Sequence, residues 1–142
     1  MHDTRQLSHP GDVRGRPARV LVIDDDCSFC QFLADCLELA GYEAIWATNG
    51  LDGWQTFERQ HPQLVVVDLD VPVISGFRLL SLLRSGADPA APSVPVVVVT
   101  GHDMQEAMDV VAAAKPDAYL QKPFEPAEFL RMIGDVLGRR AA

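Results

Sequence analysis

The chain has 142 residues, a formal net charge of −8 and a pI of about 4.8, and 48% of its residues are hydrophobic. This length and apolar content predict one folded domain with a single core and exclude wholesale disorder. The acidic balance, without a basic stripe, argues against nucleic acid and against a membrane as direct partners.

The N-terminal segment predicts neither regular structure nor export. Residues 1–17 are polar, contain two prolines and two glycines, and lack the apolar middle region of a signal peptide. We expect a flexible tail here, followed by one domain over residues 18–140. The longest apolar runs have the length of a strand and are too short for a bilayer. Three cysteines, an odd number, fit a reducing compartment, so we expect a cytoplasmic protein.

Short apolar runs then alternate with segments whose apolar residues recur at helical spacing. In chain order these patterns predict a strand at 19–23, a helix from Ser28 to Ala40 ended by Gly41, a strand at 42–47, a helix at 50–60, a strand at 63–69, a helix from Gly76 to Arg84, a strand at 94–100, a helix around Met104 to Val111, a strand at 118–121 and a helix that starts near Pro126. The inward-facing residues of the second, third and fifth helices are predicted to be Leu51, Trp54, Phe57, Phe77, Leu80, Leu83, Phe129, Ile133 and Val136.

Five strands alternating with five helices predict an α/β fold, a doubly wound five-stranded parallel sheet. The strands are continuous apolar runs, as expected for parallel strands that are covered on both faces. We assume the flavodoxin-like strand order 2-1-3-4-5, in which ligands bind beyond the carboxyl ends of the strands, where the order reverses.

Four of the five predicted strands lead into a chemically useful polar side chain. The first strand runs into Asp24 and Asp25, the third ends in Asp68, the fourth ends in Thr100, and Lys122 follows the fifth. In the assumed order the first and third strands are neighbours. The three aspartates would therefore share one pocket.

Gathering carboxylates in this way requires a positive charge. Two carboxylates 4 Å apart repel each other by about 1 kcal/mol in water and about 4 kcal/mol at a partly buried site. Mg²⁺ suits three such groups, because it takes hard oxygen ligands and shares phosphate oxygens. A carboxylate also acts as a nucleophile toward phosphorus. Lys122 would then supply a compact cation to a phosphoryl oxygen, and Thr100 a hydroxyl hydrogen bond.

Four motifs, taken together, resemble the receiver domain of bacterial two-component response regulators, in particular single-domain regulators of the chemotaxis type. They are VLVIDDD, LVVVDLDVP followed by SG, VVVVTG, and YLQKPF, and the resemblance covers roughly residues 18 to 138. It implies that Asp68 accepts a phosphoryl group from a histidine kinase or a histidine phosphotransfer protein. The signal would pass by contact with a downstream effector protein that the sequence does not name.

The resemblance also implies a set of Mg²⁺ ligands. Asp25 would bind the metal directly, Asp24 mainly through water, and Asp68 through its carboxylate. Asp70 would contribute its backbone carbonyl, while its side chain faces solvent.

The same resemblance implies a conformational switch. Thr100 corresponds to the switch hydroxyl and Lys122 to the phosphate-binding lysine. Tyr119 corresponds to the aromatic switch residue that moves inward as Thr100 turns toward phosphate. The peptide bond before Pro123 is expected to be cis.

Two stretches depart from the family pattern. VPVISG replaces the more usual Met-Pro and Asp-Gly residues, and Lys115 and Pro116 stand where the family often has Gly-Ala. We expect the second change to reshape the turn before the fifth strand.

Several residues have simpler structural interpretations. Asp26 is expected to start a helix rather than to bind metal, and Thr100 could cap the fourth helix instead of acting as a switch. Cys27 and Cys30 form a C-x-x-C, but the aspartates upstream would raise a thiol pKa, which disfavours a redox role. His102 is expected to be exposed.

Other functions stay open beside the signalling switch. Asp68 and Asp70 resemble the Asp-x-Asp motif of haloacid-dehalogenase-type phosphatases, although in that family the nucleophile strand comes first and the acidic pair last. The chain could also be a receiver module excised from a hybrid sensor kinase, or a pseudo-receiver that never takes phosphate. We expect no enzyme activity beyond the protein's own phosphorylation and dephosphorylation.

Overall fold

A computed structural model describes residues 16–89, 91–101 and 103–141. Residues 1–15, which make up most of the expected tail, and His102 lie outside the described residues. Within the described ranges, none of the helices combines the length and the apolar character that crossing a bilayer requires.

Five strands alternate with five helices along the described chain. In chain order they are β1 (Arg19–Ile23), α1 (Cys27–Leu39), β2 (Glu43–Ala47), α2 (Gly50–Gln60), β3 (Leu64–Asp68), α3 (Gly76–Arg84), β4 (Val96–Thr100), α4 (Met104–Val111), β5 (Ala118–Gln121) and α5 (Pro126–Ala141). Short 3₁₀ turns at Ala91–Ser93 and Ala112–Ala114 precede β4 and β5. The sequence therefore predicted every one of these strands and helices in its correct order.

The strands form one parallel sheet in the order β2-β1-β3-β4-β5. This confirms the order that the sequence analysis assumed. In the register of β1 against β3, Ile23 lies opposite Val67. Asp24, directly after β1, and Asp68, the last residue of β3, therefore lie side by side at the carboxyl edge.

Alternate residues of each strand point into two separate cores. Along β1, Val20 and Val22 belong to a cluster shared with α1 and α5, whereas Leu21 and Ile23 belong to a cluster under α2, α3 and α4. Burying one such side chain fully is worth roughly 1.5–3 kcal/mol. Both faces of the sheet are covered, which explains why the strands are continuous apolar runs rather than alternating ones.

Helical periodicity located some buried faces inaccurately. Leu51 and Phe77, predicted to face the core, are 39% and 36% exposed, and Phe32 is 48% exposed. In α2 the glycines take the inner positions: a Cβ on Gly53 would lie only 2.6 Å from Ile23 Cδ1. This close approach turns Leu51 outward. The remaining predicted core residues are buried or partly buried: Trp54, Phe57, Leu80, Leu83, Phe129, Ile133 and Val136.

Positive φ angles shape several turns, among them those at Gly41, Lys115 and Val73. Gly41 takes a φ of 96° after the C-cap of α1, as predicted. Lys115 takes a φ of 50° before β5, so a lysine adopts the left-handed conformation that suits a glycine. Val73, in the loop between β3 and α3, has a φ of 72°, which is a strained conformation for a β-branched residue.

Candidate functional site

Three carboxylates converge at the carboxyl edge of the sheet. Asp24 and Asp25 follow β1, Asp68 ends β3, and one oxygen from each lies within 4.8 Å of the others. Asp24 and Asp68 are buried, at 2% and 5% exposure, whereas Asp25 is exposed. The parallel pairing of β1 with β3 therefore produces the cluster that the sequence predicted.

The ammonium of Lys122 lies between the two buried carboxylates. Its Nζ donates to Asp24 Oδ2 at 2.8 Å and to Asp68 Oδ2 at 3.0 Å. The backbone N–H of Lys122 donates to the Thr100 carbonyl, which aligns the end of β5 with β4. The peptide bond between Lys122 and Pro123 is cis, as the resemblance implied.

The electrostatics of this contact favour a charged lysine. Burial lowers the pKa of Lys122, but the hydrogen bonds to Asp24 and Asp68 and the charges of the two carboxylates together outweigh burial, so the pKa is raised overall. Burial raises the pKa of Asp24, against hydrogen bonds from the Lys122 ammonium and the Asp26 N–H. In this structure Lys122 therefore supplies the positive charge that lets the carboxylates lie together.

Asp24 and Asp26 accept hydrogen bonds from backbone N–H groups in and after the loop that follows β1. The Asp26 N–H donates to Asp24 Oδ1 at 2.9 Å, and Asp26 Oδ1 accepts from the Phe29 N–H at 3.0 Å. Asp26 is therefore the N-cap of α1, as predicted, and its carboxylate is engaged with the helix rather than with the acidic cluster.

The loop after β3 holds Asp68 from the other side. Asp68 Oδ1 accepts from the Asp70 N–H at 2.9 Å, and the Asp70 side chain is exposed, as expected. Gly76 begins α3 directly beneath this loop. A Cβ there would lie 2.4 Å from the Asp68 carbonyl oxygen and 2.6 Å from Leu69 Cα. Only a glycine allows the helix to approach the acid this closely.

Thr100 and Tyr119 lie on the neighbouring strands β4 and β5. Thr100 is fully buried at the end of β4, and the N-cap of α4 is Asp103, so Thr100 does not cap that helix. Tyr119 pairs with Val98, packs partly buried against the α3 and α4 side of the core, and has its pKa raised by burial. These positions are compatible with the implied switch roles, which stay predictions.

The surroundings of the C-x-x-C do not suit a redox pair. Cys30 is buried, and its thiol donates to the Asp24 carbonyl at 3.2 Å. Burial, aided by the negative charge of Asp24, raises the pKa of Cys30 to about 12. Cys27 is exposed, and both are free thiols. A protonated, buried Cys30 is a structural thiol rather than a nucleophile.

Sequence reasoning missed one residue of the site. The Phe29 ring lies with its centroid 4.8 Å from the Lys122 Nζ. In the sequence, Phe29 is one position of the apolar pattern that predicts the helix α1. The sequence feature that could have identified Phe29 is its position in the first turn of α1, the helix that follows the acidic residues Asp24 to Asp26.

The donor set of the cluster fits a hard divalent cation. Among the described residues, the group that could hold a metal ion consists of carboxylates alone, Asp24, Asp25 and Asp68. Carboxylate oxygens without histidine or cysteine suit Mg²⁺ and are poor ligands for soft metals.

Comparisons with known proteins agree with this geometry. Residues 20–134 match the family described as Response regulator receiver domain. The chain is 34% identical over 123 residues to the probable transcriptional regulator ycf27 of Porphyridium aerugineum, a match that covers 85% of this chain and 48% of that protein. It is 27% identical to the polar-differentiation response regulator DivK of Brucella anthropi, covering 86% of this chain and 98% of DivK.

Solved structures show the same fold. A CheY-like response regulator receiver domain protein from Methanospirillum hungatei JF-1 superposes with a TM-score of 0.80 and 27% identity, covering 88% of this chain and 97% of that one. The chain thus spans about half the length of the ycf27 proteins, and nearly all of DivK and of the CheY-like protein.

Proposed function

Because the chain belongs to the response regulator receiver family, we propose that it is a phosphoacceptor switch whose acceptor is Asp68. A single observation carries this proposal: the buried Asp68 carboxylate lies beside two further carboxylates and 3.0 Å from the Lys122 ammonium. Phosphoryl transfer depends chiefly on such positioning and charge neutralisation.

We propose the following chemistry for this site. While Asp68 Oδ1 keeps its hydrogen bond from the Asp70 N–H, Asp68 Oδ2, which accepts from the Lys122 ammonium, is the attacking oxygen. That oxygen forms a bond to the phosphorus of a phosphohistidine donor while the P–N bond breaks. The electron pair returns to the imidazole nitrogen of the donor, which takes up a proton. The Lys122 ammonium and the Thr100 hydroxyl then hold oxygens of the transferred group.

Receiver domains bind Mg²⁺ in an acidic active-site cleft. We propose that Asp24, Asp25 and Asp68 hold the ion here, together with the Asp70 backbone carbonyl. Asp25 would bind directly, and Asp24, already engaged by Lys122, mainly through water. When bound, the ion supplies positive charge to the phosphoryl oxygens.

The proposed output is a conformational change read by another protein. Thr100 would turn toward the phosphoryl group and Tyr119 would follow it inward, shifting the population toward the active form. The phosphoryl donor would be a histidine kinase or a histidine phosphotransfer protein. The domain over residues 18–140 would act alone or as a receiver module of a larger protein, and it would catalyse only its own phosphorylation and dephosphorylation.

We also propose a cytoplasmic location, in line with three free thiols at Cys27, Cys30 and Cys36. The comparisons give no support to the haloacid-dehalogenase alternative. In that alternative Asp70 would be the general acid, yet its side chain is exposed rather than gathered with Asp68.

The test is labelling by a small phosphodonor. With acetyl phosphate and Mg²⁺, the wild-type protein should gain one phosphoryl group, an added mass of about 80 Da, and Asp68→Asn should gain none. Asp70→Asn is the matched control, since it changes an exposed carboxylate two residues away and should still be labelled. Labelling of Asp68→Asn at wild-type stoichiometry would disprove the acceptor assignment. Multiple-turnover phosphoester hydrolysis that Asp70→Asn abolishes would favour the phosphatase.

A further inference from the structure

We propose that Phe29 is a positioning residue for Lys122, holding the ammonium at the acidic cluster through the face of its ring. The inference rests on the proposed function, in which Lys122 meets the phosphoryl group. The Nζ lies 4.8 Å from the Phe29 ring centroid, within the range of about 6 Å in which a ring attracts a cation. The Lys122 side chain is 29% exposed, so carboxylates and ring together replace most of its water.

Phe29 and Lys122 belong to one closed circuit of contacts. Lys122 Nζ donates to Asp24 Oδ2, and the other oxygen of Asp24 accepts from the Asp26 N–H. Asp26 Oδ1 in turn accepts from the Phe29 N–H, and the Phe29 ring faces Lys122. Asp24, which accepts from the ammonium, is therefore linked through Asp26 to the residue whose ring faces that ammonium.

An aromatic stack supports the ring from the side of β5. The Phe29 and Phe124 rings meet edge to face with centroids 5.7 Å apart, and Phe124 stacks on Phe129 at 5.8 Å. Phe129 is fully buried in the core. Phe124 is two residues beyond Lys122, so both the lysine side chain and its loop rest on Phe29.

The Phe29 ring, unlike the carboxylates, contacts the Lys122 ammonium without also being a proposed metal ligand. Asp24 and Asp68, which bind the ammonium here, are also proposed metal ligands, so a bound cation would weaken their attraction for Lys122. The Phe29 side chain has no oxygen, nitrogen or sulfur atom with which to bind a divalent cation or a phosphate. The ring therefore helps to keep a flexible four-carbon side chain at the site when a cation weakens the attraction of the acids.

The test combines three variants with two measurements. Phe29→Leu removes the ring but keeps an apolar side chain, Phe29→Tyr keeps the ring, and Phe32→Leu changes a phenylalanine that is 48% exposed on the same helix. The first measurement is the rate of labelling by acetyl phosphate at saturating Mg²⁺, together with the Mg²⁺ Kd from calorimetry. We expect Phe29→Leu to slow labelling on the order of tenfold, with the Mg²⁺ Kd unchanged. Phe29→Tyr and Phe32→Leu should behave as the wild type.

The second measurement is the NMR signal of the Lys122 side chain in protein labelled with ¹³C-lysine. The sequence contains two lysines, Lys115 and Lys122, so Lys122→Met assigns the spectrum by difference. The ring should shift the Lys122 Cε and Hε signals upfield in the wild type and in Phe29→Tyr, and this shift should vanish in Phe29→Leu.

The outcomes separate failure of the contact, of the positioning role and of the proposed function. If the Lys122 signals keep their upfield shift in Phe29→Leu, the contact is overturned. If the upfield shift is lost but the rate of labelling by acetyl phosphate is unchanged, the positioning role is overturned. Equal slowing in Phe29→Leu and Phe29→Tyr would show that the residue acts only through packing, and would also overturn it. If the wild type were never labelled, the proposed function would fail, and the positioning role that rests on it would fail with it. The Lys122 signal would then still decide whether the contact exists.

Discussion

Replacing Lys122 by methionine should destabilise the protein without Mg²⁺ and much less so with it. The substitution removes the ammonium but keeps most of the apolar stem, so the change is mainly one of charge. It leaves the buried carboxylates of Asp24 and Asp68 without the cation that lies 2.8 and 3.0 Å from them.

The size of the effect follows from this geometry. Breaking a buried ion pair by removing one partner costs about 3–5 kcal/mol, but the Lys122 side chain is 29% exposed, so we expect about 2–3 kcal/mol. The repulsion alone gives a similar figure, since two charges 4.8 Å apart, the limiting separation of the cluster oxygens, interact by about 3.5 kcal/mol at an effective dielectric constant of about 20. Mg²⁺ at a hundredfold excess over its Kd stabilises the folded state by about 2.7 kcal/mol. Because Lys122 no longer competes for the carboxylates, Mg²⁺ should raise the free energy of unfolding of the variant more than that of the wild type.

The assay is urea unfolding followed by circular dichroism, with and without saturating Mg²⁺. With Mg²⁺ the difference between variant and wild type should shrink to about 1 kcal/mol or less, with an unchanged m-value. Lys115→Met is the matched control, because that lysine is exposed and its replacement should change stability by less than about 0.5 kcal/mol. A Lys122→Met protein as stable as the wild type without Mg²⁺ would refute the neutralising role of the lysine. If Mg²⁺ leaves the stability difference between Lys122→Met and the wild type unchanged, lysine and metal do not use the same carboxylates.

Two further predictions concern the metal site and the loop beneath it. Asp25→Ala should weaken Mg²⁺ binding about tenfold or more in a calorimetric titration, because it removes a charged oxygen ligand; an unchanged Kd would exclude Asp25 as a ligand. Gly76→Ala should cost about 1–3 kcal/mol and slow labelling, since its Cβ would meet the backbone carbonyl oxygen of Asp68 at 2.4 Å. Gly134→Ala is the control for helix propensity: its Cβ would meet only Tyr42 Oη at 3.7 Å, and it should raise stability by about 0.5–1 kcal/mol. A Gly76→Ala variant as stable and as readily labelled as the wild type would show that the close approach is not required.

Local patterns in the sequence determined the elements of the fold and the polar residues that follow the strands at the site. Apolar runs and helical spacing are properties of neighbouring residues, so they predicted all five strands and all five helices. Asp26 as a helix cap, Gly41 as a helix-ending residue and the acids at the strand ends follow from the same local chemistry.

The tertiary structure alone decided how these parts meet. Nothing in the spacing of residues showed that glycines would take the inner face of α2, which turned Leu51 outward. The strand order had to be assumed, because it depends on which helices cover which face. The contact of Lys122 with Asp24 joins residues 98 positions apart, and the Phe29 ring meets the same ammonium from α1. Such contacts arise from the packing of whole elements, which no local pattern encodes.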